Sequence, residues 1–320
     1  MGTWTVFRAP VRAVARSAQG YDIESSAYLQ STGMSDGTAA VRIATFADEI
    51  CREDPARALL LAARWNLEAV EVRSLPGGRF PRVSDDALRD VGHIVADSGL
   101  SVSGVSPGLF KCDVGDHQVE SGIAELLPRA CDWARTWGTE RVSIFGTGRG
   151  DEPHGSGRLP PAVVDTLGRM CDVASRSGCH LVLENEAVCW GDTGTEAAAL
   201  IRAVGVDGLT LCWDPGNSAR AGADDPLAEY GSLADLVTHV HLKNFDPDTD
   251  AWSLMDTGVV DWTGQFGALR ADDYSGFVVI ETHTSTEPDG VEPMVDGGET
   301  LSPLESNSLR NLQYTRSLLG

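Results

Sequence analysis

From residue 41 to the end, the chain alternates short runs of apolar and β-branched residues with longer segments in which apolar residues recur at helical spacing. The short runs favour buried β-strands, and the longer segments favour amphipathic helices. The pattern repeats eight times, so it predicts eight strand–helix units in order. The predicted strands are 41–46, 69–73, 100–105, 141–145, 180–184, 209–214, 237–242 and 276–281.

Two of the predicted helices carry clear end signals. Asp54 and Pro55 are suited to the cap and first turn of the first helix. Ser84 is suited to cap the second helix, and Gly99 to end it. The later helices are predicted from about Val119 to Trp137, from about Ala162 to Ser177, and over 193–205, 224–235, 261–273 and 303–319.

Regular strand–helix alternation predicts parallel strands joined by right-handed crossovers. Eight units over residues 41–320 fit a closed barrel better than an open, doubly wound sheet. Neither GxGxxG nor GxxxxGK[ST] occurs where a strand meets a helix, which argues against a nucleotide-binding open sheet. We therefore predict the α/β class, with a single (β/α)8 TIM barrel as the catalytic domain over 41–320.

Residues 1–40 are rich in Ser, Gly and Thr and show little periodicity. We expect a disordered N-terminal tail, or a segment upstream of a true translation start at Met34. The arginines Arg8, Arg12 and Arg16 are not followed by a continuous apolar segment, so a signal peptide is not expected, while a transit-like tail remains open. The sequence contains no run of about 18 apolar residues, so no membrane span is predicted.

Composition narrows the classes of partner. A formal net charge of −22 argues against a nucleic-acid partner, because such proteins need a basic surface to neutralise phosphates. The seven cysteines show no CxxC spacing, which favours free thiols and a reducing, cytoplasmic compartment. The connection 244–258 is long for a β–α loop and is suited to a lid or to a contact in a homo-oligomer.

Catalytic groups of such a barrel lie at the carboxyl ends of its strands. The last four predicted strands end on residue types that bind metals: Glu184, Asp214, His241 and Glu281. Three carboxylates and one imidazole suit Mn²⁺ best, with Mg²⁺ or Co²⁺ as alternatives. His239 shares a strand face with His241 but lies one layer deeper, so we expect a hydrogen-bonded interior histidine there.

Further polar residues near the predicted strand ends are candidate substrate contacts. Lys111 and Lys243 are the only lysines, and both follow predicted strands at the same barrel mouth. We expect them to contact substrate oxygens. Glu71, Arg73 and His283 are candidate contacts for substrate hydroxyls, while Glu71 and Arg73 could instead form a structural ion pair on the rim.

An ordered set of motifs resembles the sugar phosphate isomerase/epimerase superfamily, the xylose isomerase-like TIM barrels. The resemblance covers about 41–318 and is carried by "VEVRSL" (70–75), "SPGLFK" (106–111), "LENE" (183–186), "WDPGNSARAG" (213–222), "HVHLKN" (239–244), "TGVVDW" (257–262) and "GFVVIETH" (276–283). It implies that Glu184, Asp214, His241 and Glu281 bind one divalent metal. Glu186 and Asn244 depart from the commoner pattern, which bears on substrate identity.

Such a site, with Glu184 and Glu281 as catalytic carboxylates, suits proton abstraction beside a metal-polarised carbonyl of a sugar or polyol ketone. The outcome would be epimerisation or aldose–ketose isomerisation; loss of a β-hydroxyl would instead give dehydration. Two further alternatives are a non-catalytic sugar-binding protein and an apurinic-site endonuclease. The loops after the seventh and eighth strands lack a glycine-rich anion cradle, which disfavours a phosphorylated substrate.

Overall fold

The computed structural model describes residues 41–154, 158–288 and 290–320. Within these residues, eight parallel strands close into a barrel in which each strand pairs with its neighbours in sequence, and β8 pairs with β1. This confirms the predicted TIM barrel. The predictions about residues 1–40 and about a start at Met34 concern residues outside this description. The strands are β1 Arg42–Phe46, β2 Ala69–Val72, β3 Ser101–Val105, β4 Arg141–Ile144, β5 His180–Glu184, β6 Leu209–Trp213, β7 Val237–Leu242 and β8 Phe277–Ile280.

A main helix follows each strand. In the first, the Asp54 side chain accepts a hydrogen bond from the Arg57 amide. Ser84 caps the second helix, and Gly99 ends it with a left-handed φ of 73°. The helices are α1 Pro55–Arg64, α2 Asp85–Ser98, α3 Leu127–Thr136, α4 Pro161–Arg176, α5 Gly194–Val204, α6 Pro226–Tyr230, α7 Trp262–Ala271 and α8 Pro303–Leu319.

Two helices differ from the predicted bounds. The third predicted helix is divided into His117–Ser121, a π-helical turn Gly122–Leu126, and α3. Pro128 lies at the start of α3 and cannot donate a hydrogen bond to the preceding turn, so a regular helix cannot run through this point. The sixth helix, α6, is shorter than predicted and is followed by the 3₁₀ turn Ala234–Leu236.

Short elements at the carboxyl ends of the strands shape the barrel mouth. Helical turns at Ala47–Ile50 and Pro215–Arg220 directly follow β1 and β6. One hairpin pairs Ser74–Leu75 with Gly78–Arg79, and another pairs Asn244–Asp246 with Ala251–Ser253 inside the long predicted connection. A third pairs Val295–Asp296 with Glu299–Thr300.

The core divides at the barrel wall. Apolar residues on the outer strand faces pack against the helices in one large cluster, whereas Ala44, Phe46, Ala69, Phe277 and Val279 form a small cluster inside the barrel. The Phe46 ring lies edge-on to His241, with 5.1 Å between ring centroids. The interior therefore changes from apolar to polar at the level of Phe46, where the candidate site begins.

All seven cysteines are free thiols, as expected, and five of them are buried. Among the described residues, no helix combines the length and the apolar character that crossing a membrane requires.

Candidate metal centre and active site

Four neighbouring strands bring the predicted ligand set together. Glu184 is the last residue of β5, His241 lies near the end of β7, and Asp214 and Glu281 directly follow β6 and β8. One ligand atom from each residue lies within 4.8 Å of the others, and all four side chains are buried. Asp214 also caps the turn Pro215–Arg220 through the Asn217 amide, which fixes the orientation of its carboxylate.

The donor atoms fit a divalent cation. Nδ1 of His241 lies 3.2 Å from Oε1 of Glu184 and 4.0 Å from Oε2 of Glu281. Among the described residues, neither ring nitrogen of His241 makes a well-aligned hydrogen bond, and Nε2 has only the longer contact with Glu71. Oδ2 of Asp214 also lacks one, although Nζ of Lys243 lies 3.0 Å away. Buried lone pairs left in this way are costly. Three carboxylate oxygens and one imidazole nitrogen form a donor set suited to Mn²⁺ or Mg²⁺.

The carboxylates of this group oppose one another electrostatically. Burial raises the pKa of Asp214 to about 6, with Lys243 opposing the rise and Glu184 and Glu281 adding to it. Burial would raise the pKa of Glu281 as well. The positive charges of Lys243, His283 and Arg73 outweigh this effect and hold the pKa of that carboxyl well below its usual range. The cluster therefore favours any additional positive charge placed among its oxygens.

A second polar layer lies beneath the four residues. Nε2 of His239 lies 2.6 Å from Oε2 of Glu71, and Nε2 of His241 lies 3.4 Å from Oε1 of the same carboxylate. Burial lowers the pKa of His239 to about 4, against the opposing effect of Glu71. His239 is thus a hydrogen-bonded interior histidine, as expected. Glu71 therefore contacts both histidines from deeper in the barrel, and its carboxylate also accepts a hydrogen bond from Oγ of Ser103.

Above the cluster is a cavity of about 200 Å³ at the barrel mouth. Six of its lining residues are predicted site residues, and Glu71 is not among the lining set. The lining comprises the predicted Arg73, Lys111, Glu184, Lys243, Glu281 and His283, together with Arg79, Ser106, Phe145, Glu186, Arg220 and Trp252.

The two lysines lie in different surroundings. Lys243 is buried; its Nζ lies 2.9 Å from Oε2 of Glu281 and 4.5 Å from the centre of the Trp252 ring. Nζ of Lys111 lies 2.5 Å from Oε2 of Glu186 and packs over the Phe145 ring, while 42% of the side chain stays exposed. Lys243 therefore belongs to the charged centre, and Lys111 to the rim.

Arg73 and His283 both contact Glu281. Nη1 of Arg73 and Nε2 of His283 lie 2.6 Å and 2.9 Å from Oε1 of that carboxylate. Arg73 also pairs with Asp48 and Glu49, whereas Glu71 contacts His239 and His241, so the structure does not show the alternative Arg73–Glu71 ion pair. Burial opposes protonation of His283, but Glu281 and Glu49 raise its pKa to about 9.

Asp48, Glu49 and Arg79 are among the residues of this region that sequence reasoning missed. Asp48 and Glu49 lie in the helical turn Ala47–Ile50 after β1, so extending the strand-end rule to the first strand would have found them. Arg79 lies in the short hairpin after β2, and no sequence pattern indicates that this hairpin turns towards the site. The hairpin in the long connection places Trp252 against His283, with 5.5 Å between the stacked rings.

Comparisons with known proteins identify the family and the fold. The family model for the xylose isomerase-like TIM barrel matches residues 59–309. Among curated proteins, none matches the sequence. Similar solved structures include D-allulose 3-epimerase from Methylomonas sp., at 20% identity and a TM-score of 0.66, covering 87% of this chain and 97% of that one.

Two others carry different activities in their names. 3-Keto-D-glucoside 4-epimerase from E. coli has 18% identity and a TM-score of 0.63, over 87% of this chain and 99% of that one. A probable 3-DHS dehydratase from Bacillus anthracis has 14% identity and a TM-score of 0.63, over 86% of this chain and 98% of that one. At these identities the structures establish the fold alone. Since the family model spans more than half of the sequence, the chain belongs to the xylose isomerase-like TIM barrel family.

Proposed function

We propose that this protein is a divalent-metal-dependent isomerase or epimerase of a sugar or polyol ketone. One observation carries the proposal: two buried carboxylates, Glu184 and Glu281, approach one ligand cluster from strands that are not neighbours in the barrel. A metal bound there by Glu184, Asp214, His241 and Glu281, with Mn²⁺ the best match, would polarise a substrate carbonyl and acidify the neighbouring C–H.

The two glutamates have different partners, which suits them to opposite proton transfers. Besides its contact with the ligand His241, Glu184 accepts from neutral donors, with Nδ2 of Asn217 at 3.3 Å and Oγ of Ser143 at 3.4 Å. Glu281 is surrounded by the cations Arg73, Lys243 and His283. One carboxylate removes the carbon-bound proton and the other returns one. Return to the opposite face of the same carbon gives epimerisation, and return to the adjacent carbon gives isomerisation.

Neighbouring side chains then hold the substrate. Lys243, Arg73 and His283 donate from the cavity wall towards its hydroxyl and carbonyl oxygens, and Lys111 donates from the rim. Glu71 lies below the cavity, so its role is to orient His241 through Nε2. The epimerase names of similar structures support the favoured reaction, and the dehydratase name keeps elimination of a β-hydroxyl as the second candidate.

Solvent deuterium exchange tests the proposal. Mn²⁺-loaded protein is incubated in D₂O with a panel of ketoses, aldoses and keto-inositols, and the products are analysed by NMR and mass spectrometry. Deuterium beside a carbonyl together with an epimer or isomer is the expected result, and loss of water would indicate the dehydratase.

Matched variants separate catalysis from contamination. Glu184→Gln and Glu281→Gln should abolish exchange, whereas Glu125→Gln, at an exposed position far along the chain from the strand ends, should retain it. Absence of exchange with every compound in metal-loaded protein would contradict the proposal and favour a sugar-binding protein.

A further inference from the structure

Arg79 is the one lining cation for which the described residues supply no partner. It ends the short strand Gly78–Arg79, and its side chain lines the cavity beside Arg73. The described residues offer its guanidinium no hydrogen bond or ion pair, and its Nε is buried without an acceptor. The carboxylates of Asp48, Glu281 and Glu184 act on Arg79 only at longer range, and none of them contacts its guanidinium. A half-buried cation without a direct hydrogen-bonded counter-charge is unfavourable, which points to a partner supplied from outside the chain.

Each of the other lining cations lies within 3.9 Å of at least one carboxylate oxygen. Arg73 pairs with three and Lys243 with two, while Lys111 pairs with Glu186. Arg220 lies 3.9 Å from Asp250 and packs over Trp252. The chain has 47 acidic residues against 25 basic ones, so a shortage of carboxylates does not explain the isolation of Arg79.

The surrounding backbone is shaped to hold this guanidinium. A Cβ built on Gly108, in the loop after β3, would lie 2.8 to 2.9 Å from Nε, Cζ and Nη2 of Arg79. Gly108 also has a φ of +63°, which side-chain-bearing residues rarely adopt. The loop therefore packs directly against the Arg79 side chain. Burial and the charge of Arg73 lower the pKa of Arg79 to about 10, against the opposing effect of Asp48, Glu281 and Glu184, and the side chain stays charged at neutral pH.

We propose that Arg79 binds an anionic group of the substrate, either a carboxylate or a phosphate. The inference rests on the proposed function to the extent that the same cavity must hold the reacting ketone. A guanidinium presents several N–H donors in a plane, which suits two-point binding of either anion. The sequence disfavoured a phosphorylated substrate because it lacks a glycine-rich loop at a helix start after the seventh or eighth strand. Arg79 would bind the phosphate in place of such a loop.

Calorimetric binding to the Mn²⁺-loaded, full-length protein tests the assignment. The probes are D-fructose as the neutral ketose, 2-keto-D-gluconate and D-fructuronate as its carboxylates at either end, and D-fructose 1-phosphate and 6-phosphate as its phosphates. We expect one of the anions to bind at least about tenfold more tightly than D-fructose, through charge-assisted hydrogen bonds. Which anion does so distinguishes a carboxylate from a phosphate and locates its position.

Three variants then assign the advantage to Arg79. The tighter binding of the anion, relative to D-fructose, should disappear in Arg79→Gln and persist in part in Arg79→Lys. It should remain intact in Arg89→Gln, which removes the same charge from an exposed site on α2. No anionic advantage in the wild type, including no binding of any probe, would overturn the proposal, as would an advantage that survives Arg79→Gln. Because binding is measured without a catalytic readout, these outcomes are independent of the deuterium-exchange result.

Discussion

The carboxylate of Glu71 links two histidines of one strand: its oxygens lie 2.6 Å from Nε2 of His239 and 3.4 Å from Nε2 of His241. The same contact leaves Nδ1 of His241 directed towards Glu184 and Glu281. Glu71 therefore connects the buried layer of the barrel to the candidate metal centre.

Replacing Glu71 should weaken metal binding without removing a ligand. Loss of the carboxylate beneath a ligating histidine typically costs about 10- to 100-fold in metal affinity. We expect a loss of this size for Mn²⁺ in Glu71→Gln, measured by calorimetry on protein whose fold is verified by circular dichroism. Glu68→Gln, at an exposed position just before β2, is the control. Equal affinity in the two variants would contradict the assigned role of Glu71.

Lys243 should stabilise the metal-free protein strongly. Its removal in Lys243→Met takes away the only ion-pair partner of Asp214 among the described residues and leaves Glu281 with Arg73 and His283. Breaking a buried pair costs about 3–5 kcal/mol. Added Mn²⁺ should recover part of this loss, because the ion supplies positive charge to the same oxygens. Lys111→Met is the comparison: that pair is exposed at the rim and contributes under about 1 kcal/mol.

Urea unfolding with and without Mn²⁺ gives the measurement for both lysine variants. A loss in Lys243→Met no larger than that in Lys111→Met would mean that the buried lysine does not balance the carboxylates.

The strand-end rule predicted the candidate metal cluster, but not everything around it. Glu184, Asp214, His241 and Glu281 lie at or just after the carboxyl ends of apolar strands that meet at the barrel mouth, so topology alone brings them together. Arg79 reaches the cavity through a short hairpin, and its position depends on how that hairpin packs against Gly108. Such tertiary contacts between loops leave no periodic trace in the sequence. The π-helical turn before Pro128 likewise interrupts an otherwise regular amphipathic pattern.

Gly146 should be required for the loop that follows β4. A Cβ at this position would lie 1.9 Å from the backbone oxygen of Trp190, which cannot move without displacing its own segment. We expect Gly146→Ala to destabilise the fold by about 1–3 kcal/mol or more. Gly168→Ala in α4 meets nothing within 4 Å and should stabilise by up to about 1 kcal/mol. Thermal unfolding of both variants is the measurement. Equal melting temperatures would contradict the prediction that only Gly146→Ala destabilises the fold.

Metal should stabilise the folded protein in a concentration-dependent way. A ligand that binds only the native state adds about 2.7 kcal/mol at 100 times its Kd. We therefore expect Mn²⁺ to raise the Tm of the wild type after EDTA treatment. The rise should be much smaller in Asp214→Asn, which weakens one ligand while preserving its shape. If Mn²⁺ raised the Tm of both proteins equally, the stabilising ion would have to bind at a site that does not include Asp214.

Anomalous diffraction from crystals grown with Mn²⁺ tests the central claim most directly, because it locates the ion without reference to any substrate. The account predicts a strong peak within coordination distance of Glu184, Asp214, Nδ1 of His241 and Glu281. A crystal with no peak there, or with manganese bound only at other residues, would contradict the assignment of this cluster as the metal centre.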